Sequence, residues 1–198
     1  MNQVISDRQF ELIQAAGKIL SVSGVGGLTI KNLAKEMGFA ESAVYRHFDS
    51  KDAIVLAMLE YLAENMDTRL NNAISSQKNP RENIEAIFRS HLGYFSENPH
   101  FVVAVFSDGL LEASKKINDA ILRIMQLNMK HLLPIVGQGQ QQGFFIDTIP
   151  SGQLVHIMMG AFRLQMFKWR IANFQTDLLM DGENLLSNIL KIMQPCKN

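Results

Sequence analysis

Apolar residues recur at three- and four-residue spacing along nearly the whole of this 198-residue chain, and no run of strand-like alternation competes with them. That pattern predicts an all-α fold. Local signals then place the helices. Ser6, with Gln9 three residues on, reads as a capping box opening a first helix. Its Phe10, Ile13, Gly17 and Leu20 share one face until "SGVGGL" (23–28) breaks it. Thr29 is the next N-cap, Ile30, Leu33, Ala34 and Met37 follow at core spacing, and Gly38 suits the left-handed position that ends a helix. Only Phe39 and Ala40 precede a third stretch, which faces Val44 and Phe48 inward. Two short helices joined by a tight glycine-containing turn form a helix-turn-helix. Asp49 or Ser50 then caps a longer helix with Ile54, Met58, Leu62 and Met66 on its buried stripe.

The remainder is helical by the same criteria. Pro80 closes a loop and suits a first helical turn, ahead of a wide apolar face of Ile84, Ile87, Phe88, His91, Leu92 and Phe95. The dense run 101–106 has the composition of a buried strand, but with no partner strand it is assigned to a short helix. A long helix from about Lys115 carries Ile117, Ile121, Ile124, Asn128, His131 and Leu132. Pro134 should kink or end it, and the Gly- and Gln-rich stretch 137–145 marks its close. Ser151 starts a helix running through Trp169, and the last spans about Asp177 to Met193. On the former, Leu154, Ile157, Met158, Ala161, Phe162, Leu164 and Phe167 reach round more than half the circumference. A helix apolar on most sides is buried on most sides, in a monomer's core or in a subunit interface. A homodimer joined through the two C-terminal helices as a four-helix bundle accounts for it.

Several classes of function are disfavoured. The N-terminus lacks the basic-then-apolar order of a secretory signal, and the longest apolar run, 101–106, is too short to span a bilayer. A cytoplasmic protein with no membrane role is expected. The single cysteine, Cys196, excludes an internal disulfide and multi-cysteine zinc sites. The five histidines are scattered, with no HExxH, Walker loop or GxSxG, so no catalytic residue, cofactor or metal is expected. A metal-dependent helical enzyme would need His91 and His131 to meet, with Glu85 or Asp108; satisfied histidines are the plainer account. With 19 basic and 19 acidic residues the net charge is zero, so attraction to nucleic acid must come from a local patch.

That patch is the segment "LTIKNLAKEMGFAESAVYRHFDSKDAI" (28–54). In Thr29, Leu33–Ala34, Met37–Gly38, Val44–Tyr45, His47–Phe48 and Ser50–Lys51 it resembles the DNA-binding region of the TetR family of bacterial transcriptional repressors. Ala53 departs from the larger apolar residue such proteins often carry. Gly160 with Trp169, and the late "FQTDLL", are weaker points of likeness. In a helix-turn-helix the first residues of the second helix reach base edges; here these are Glu41, Ser42 and Ala43. Glu41 either accepts from a cytosine amine or simply complements the helix dipole. Tyr45, His47 and Lys51 are donors suited to phosphate, while Arg46 faces phosphate or solvent. The resemblance implies DNA contacts at Lys31 and Thr29 as well. From Leu28 to Lys51 four cations (Lys31, Lys35, Arg46, Lys51) face three acids (Glu36, Glu41, Asp49), so affinity should depend on pairing two subunits across a palindromic operator.

The expected division is a DNA-binding domain over 1–50 and an effector-binding and dimerisation domain over 51–198. The resemblance further implies a small-molecule pocket among the C-terminal helices, and release from DNA, usually meaning relief of repression, when an effector binds. Phe88, His91, Phe95, Met125, Asn128, His131, Met158, Phe162, Arg163 and Met166 are the candidate lining, and eleven methionines suit an adaptable apolar or amphipathic site. Ordinary core packing explains the same residues. A DNA-binding factor with no small-molecule ligand is the other alternative.

Overall fold

Ser6 opens the structure as its spacing requires: its hydroxyl accepts from the Gln9 amide while the Gln9 side chain accepts from the Ser6 amide, a complete capping box. The computed structural model describes residues 5–106 and 114–195. Among these the chain forms nine α-helices and no strand: α1 (Asp7–Gly27), α2 (Ile30–Met37), α3 (Glu41–Tyr45), α4 (Lys51–Ala73), α5 (Pro80–Glu97), α6 (Pro99–Phe106), α7 (Lys115–Gln141), α8 (Ser151–Ile171) and α9 (Leu178–Ile192). The all-α expectation holds, and the run 101–106 is helical. No helix among the described residues is long and apolar enough to cross a membrane.

By packing, the helices form two compact units. The first comprises Met1–Glu64 and Asn98–Ile124. Here α1 packs on α2 and α6, and α2 on α3, around Leu12, Ile13, Leu20, Leu33, Val44, Ile54, Met58 and Phe101. Gly17 is what lets α6 approach α1, since a Cβ there would lie 2.7 Å from the His100 ring. Phe10 does not join the core fully; it stays 37% exposed, with one edge against Tyr61 at 5.3 Å, because it sits in the first turn at the end of the packed face. The glycine-rich end of α1 bends rather than terminates. Gly24 adopts φ 63°, and a further helical stretch runs to Gly27 before buried Leu28.

The second unit comprises Asn65–Glu97 and Met125–Asn198. Asn79 and Glu82 form a reciprocal capping box ahead of α5. α9 lies on α5 and α8, with Gly182 against Leu92. Pro134 does not end α7, which continues as helix to Gln141. The helix absorbs the missing N–H as one lost bond to the preceding turn. The chain reverses after Gln141, where the Phe144 amide bonds Gly139 O at 2.8 Å and Gln140 Nε2 donates to both Ile146 O and Ile149 O at 2.7 Å.

Each unit contains a histidine held neutral. Burial lowers the pKa of His100 from 6.5 to about 4. For His91, burial and then the nearby Arg69 charge lower it to about 4, against a raising hydrogen bond with Asn128. Between those values and the ordinary 6.5 the unfolded chain binds more protons than the folded one, so stability is complete above pH 6.5 and falls as pH descends towards 4. The slope is on the order of 1 kcal/mol per pH unit per histidine. Melting temperature should therefore fall between pH 7 and 5, and His100→Phe should remove roughly half of that drop; an unchanged pH profile in the variant would contradict the assignment.

Candidate nucleic-acid interface and interior polar cluster

The N-terminal unit builds a surface from short, tightly terminated helices. Thr29 Oγ1 accepts from the Asn32 amide at 3.0 Å, and Asn32 Nδ2 donates back to Gly27 O at 2.8 Å, so both ends of the α1–α2 turn are tied. Gly38 ends α2 at φ 68°, with the Phe39 amide bonded to Ala34 O at 2.8 Å. Of the two capping candidates for α4 it is Ser50 that acts, accepting from the Ala53 amide at 3.1 Å.

α3 has only five residues and no side-chain cap at Ala40. Val44 and Phe48 anchor it, at 0% and 6% exposure. The opposite side shows Glu41, Ser42, Tyr45 and Arg46 to solvent, with Ala43, His47 and Lys51 half-buried beside them. Thr29 and Lys31 are exposed at the start of α2. The side chains of Lys31, Tyr45, Arg46, His47 and Lys51 have no ion pair or hydrogen bond within the described residues. All nine sequence candidates thus belong to one unit, and the candidate cations Lys31, Arg46 and Lys51 have no ion pair within the described residues.

The ten ligand candidates belong to the second unit, and the structure sorts them. Phe162 of α8 meets Phe88 edge-on at 5.5 Å, His91 at 5.6 Å and Phe95 at 6.4 Å. Met158 and Met166, one turn to either side on α8, are fully buried. His91 Nε2 lies 2.8 Å from Asn128 Oδ1, and Asn128 Nδ2 reaches Met66 Sδ at 3.7 Å. His131 instead bonds Asp67 at 2.6 Å. Met125, 51% exposed, and Arg163, also exposed, are not brought into this cluster; they lie on the outer sides of α7 and α8. With its Nε2 hydrogen directed at Asn128, His91 presents Nδ1 as a bare acceptor, buried and without a hydrogen-bond partner.

Sequence reasoning missed the partners. Asp67 receives His131 and, at 3.0 Å, Lys130, and these bonds in that order hold its carboxyl below the usual range. Arg69 donates to Asn65 and Ser90 and lies 4.0 Å from the Tyr94 ring centre. The Arg69–Asn65 pair sits at helical i,i+4 spacing, a legible signal; the Asp67–His131 pairing across 64 residues has none. The metal alternative gains nothing: His91 and His131 have different partners, Glu85 pairs with Arg81, and Asp108 lies outside the described residues. Among the described residues no three His, Cys, Asp or Glu side chains are placed to hold a metal.

A helix-turn-helix head presenting uncommitted donors, followed by a helical body, is the architecture of a DNA-binding transcriptional regulator. Residues 12–58 match the model of bacterial regulatory proteins of the tetR family, and residues 59–192 match that of the YsiA-like protein C-terminal region. The chain belongs to the TetR family. It is 25% identical over 177 residues to nucleoid occlusion factor SlmA of Marinomonas sp. (strain MWYL1), covering 83% of this chain and 90% of that protein. It is 28% identical to SlmA of Aliivibrio fischeri (strain MJ11), covering 79% and 82%. In fold it is similar to the fatty acid degradation regulator FadR from Bacillus halodurans, with TM-score 0.83, 13% identity and coverage of 95% and 97%. It is also similar to the transcriptional regulator FadR from Bacillus subtilis in complex with stearoyl-CoA, with TM-score 0.78, 16% identity and coverage of 91% and 97%. The two FadR proteins are regulators by name, and the two SlmA proteins are nucleoid occlusion factors by name.

The two local devices that shape the head are separable by mutation. Thr29→Ala should cost about 1 kcal/mol through loss of the cap. Gly38→Ala has open space for its Cβ but must hold a left-handed φ, a strain of about 1–2 kcal/mol. Urea denaturation should give both losses, and Gly38→Asn should recover part of the second; equal stability of all three variants with the parent would refute this account.

Proposed function

We propose that the chain represses transcription by binding a palindromic operator as a homodimer, and that a small apolar or amphipathic effector releases it. The observation that carries this reading is the division of α3 and the turn after it (41–48) into a buried pair, Val44 and Phe48, and an exposed, uncommitted set. In it Glu41, Ser42 and Ala43 face base edges, with Lys31 at bases or backbone. Tyr45, Arg46, His47, Lys51 and Thr29 hold phosphate and fix register. Two-fold symmetry sets half-sites about 10 bp apart or a multiple of it. Residues 1–50 serve as the DNA-binding domain and 51–198 as the effector and dimerisation domain of a cytoplasmic protein.

Dimerisation is supported by the stripe Ile157, Leu164, Phe167 and Ile171 on α8 and by Leu179, Met180 and Ile192 on α9, all at least 41% exposed. Apolar surface of this extent on two neighbouring helices is normally covered. The effector site is the ring cluster of Phe88, His91, Phe95 and Phe162 with Met158 and Met166. Because His91 is neutral and offers Nδ1 as an acceptor, the effector places a hydroxyl or amide N–H there. The stearoyl-CoA complex of the Bacillus subtilis FadR favours an acyl thioester as the class of probe. To act, the effector must bind the DNA-incompetent arrangement better; a ~100-fold preference corresponds to roughly 2.7 kcal/mol of coupling.

A second reading, a DNA-binding factor with no small-molecule ligand, is favoured by the likeness to nucleoid occlusion factors. It is also favoured by the internal partners that Asn128 and His131 already have.

Fluorescence anisotropy against tiled DNA from around the gene separates these outcomes. One tile should bind tightly, with a loss of tenfold or more in the Tyr45→Phe/Lys51→Ala variant; binding equal to random DNA would sink the operator reading. Leu164→Glu should sediment as a monomer and lose the same tile. Long-chain acyl-CoA should raise the melting temperature by mass action, and His91→Leu should abolish the rise. A flat response across acyl chain lengths would favour the ligand-free reading.

A further inference from the structure

Arg8 belongs to the first turn of α1, yet its guanidinium lies over the ring of Phe39, 5.1 Å from the centroid. Phe39 is the middle one of the three residues between α2 and α3, after the C-cap Gly38 and before Ala40, the N-cap of α3. A cation from the start of the chain is thereby fixed at the entry to the recognition helix, the end where side chains of this motif meet the groove. The capping box of Ser6 and Gln9 fixes the turn that carries it. Arg8 Nη1 bonds Glu11 at 2.5 Å, and the side chain remains half exposed. Stacking occupies a face of the guanidinium and leaves its edge donors free to point outward, and one carboxylate cannot engage all five.

From these placements we infer that Arg8 is a DNA-phosphate contact, oriented by Phe39 and held ready by Glu11, which a phosphate displaces. The inference rests on the proposed DNA-binding mode. It adds one cation per subunit to a head whose sequence from Leu28 to Lys51 carries a surplus of only one. An exposed Arg–Glu pair is weak, so exchanging the carboxylate for phosphate is easily done. Phe39 then has a role that its place in a three-residue turn does not by itself require.

The test is the salt dependence of operator binding by the full-length dimer, read by anisotropy on the tightest tile between roughly 50 and 200 mM salt. Arg8→Gln should make the log–log slope shallower by about 0.9 per subunit, about 1.8 for the dimer, while Arg8→Lys keeps the parental slope. Glu11→Gln should tighten binding in the parent and have a clearly smaller effect in the Arg8→Gln background. A parental slope in a folded Arg8→Gln protein, or an equal effect of Glu11→Gln in both backgrounds, overturns the assignment. Should Arg8→Gln not fold, Arg8→Lys and Glu11→Gln still decide: the parental slope with tighter binding supports the contact, and unchanged affinity in Glu11→Gln overturns it. If the parent itself prefers no tile and ignores Tyr45→Phe/Lys51→Ala, the DNA-binding mode falls and this inference with it. A parent that is tile-specific and sensitive to those changes, with no slope change in Arg8→Gln, loses the Arg8 contact alone.

Discussion

A five-residue helix does not persist in water, because the free energy of fixing its first turn exceeds what so few hydrogen bonds return. α3 exists because Val44 and Phe48 are buried, because it packs on α2, and because the chain enters and leaves it through fixed corners at Gly38 and Ser50. Every property of the head follows from that anchoring. The angle of the helix, the exposure of Tyr45 and Arg46 and the position of Glu41 are set by two apolar side chains that cannot touch a ligand from where they sit. The same logic extends outward: Asn32 ties α2 to α1, and Gly17 lets α6 reach α1 through His100.

The second unit makes the opposite use of polarity. His91, Asn128 and His131 are all buried, His91 beside the Phe95 and Phe162 rings and Asn128 beside Met66, where a charge would be costly. Two strategies meet that cost: His91 stays neutral beside Asn128, and His131 turns to a carboxylate that still touches solvent. Hydrogen bonds in such surroundings are strong when made and expensive when broken, so this cluster favours a single packing of α5, α7 and α8.

Local chemistry made much of this architecture legible. Ser6 with Gln9, Thr29, Gly38 and Asp177 mark helix ends through bonds that span three or four residues, and each forms as its spacing requires. The buried stripe of α4 is likewise a property of spacing. What escaped depends on distance along the chain or on the neighbours of a helix. Pro134 reads as a kink or an end, yet α7 runs on through it as helix to Gln141. Phe10 fits the core face of α1 by periodicity but lies where that face runs out. Met125 and Arg163 have the right residue types and the wrong azimuth, which a helix with apolar residues all round does not disclose. Asp67 and His131 meet across 64 residues, and Arg8 meets Phe39 only through the fold.

The split within α3 carries a consequence for descent as well as for binding. The positions that hold the helix in place and those that show to solvent do not overlap, so substitutions at Glu41 and Ser42 leave the hydrophobic anchorage untouched. Duplicated copies of such a chain can diverge in the sites they recognise while inheriting the same thermodynamic scaffold, and the number of positions that must change is small. The lineage is free to vary at exposed Glu41 and Ser42, and is held in place at buried Val44 and Phe48.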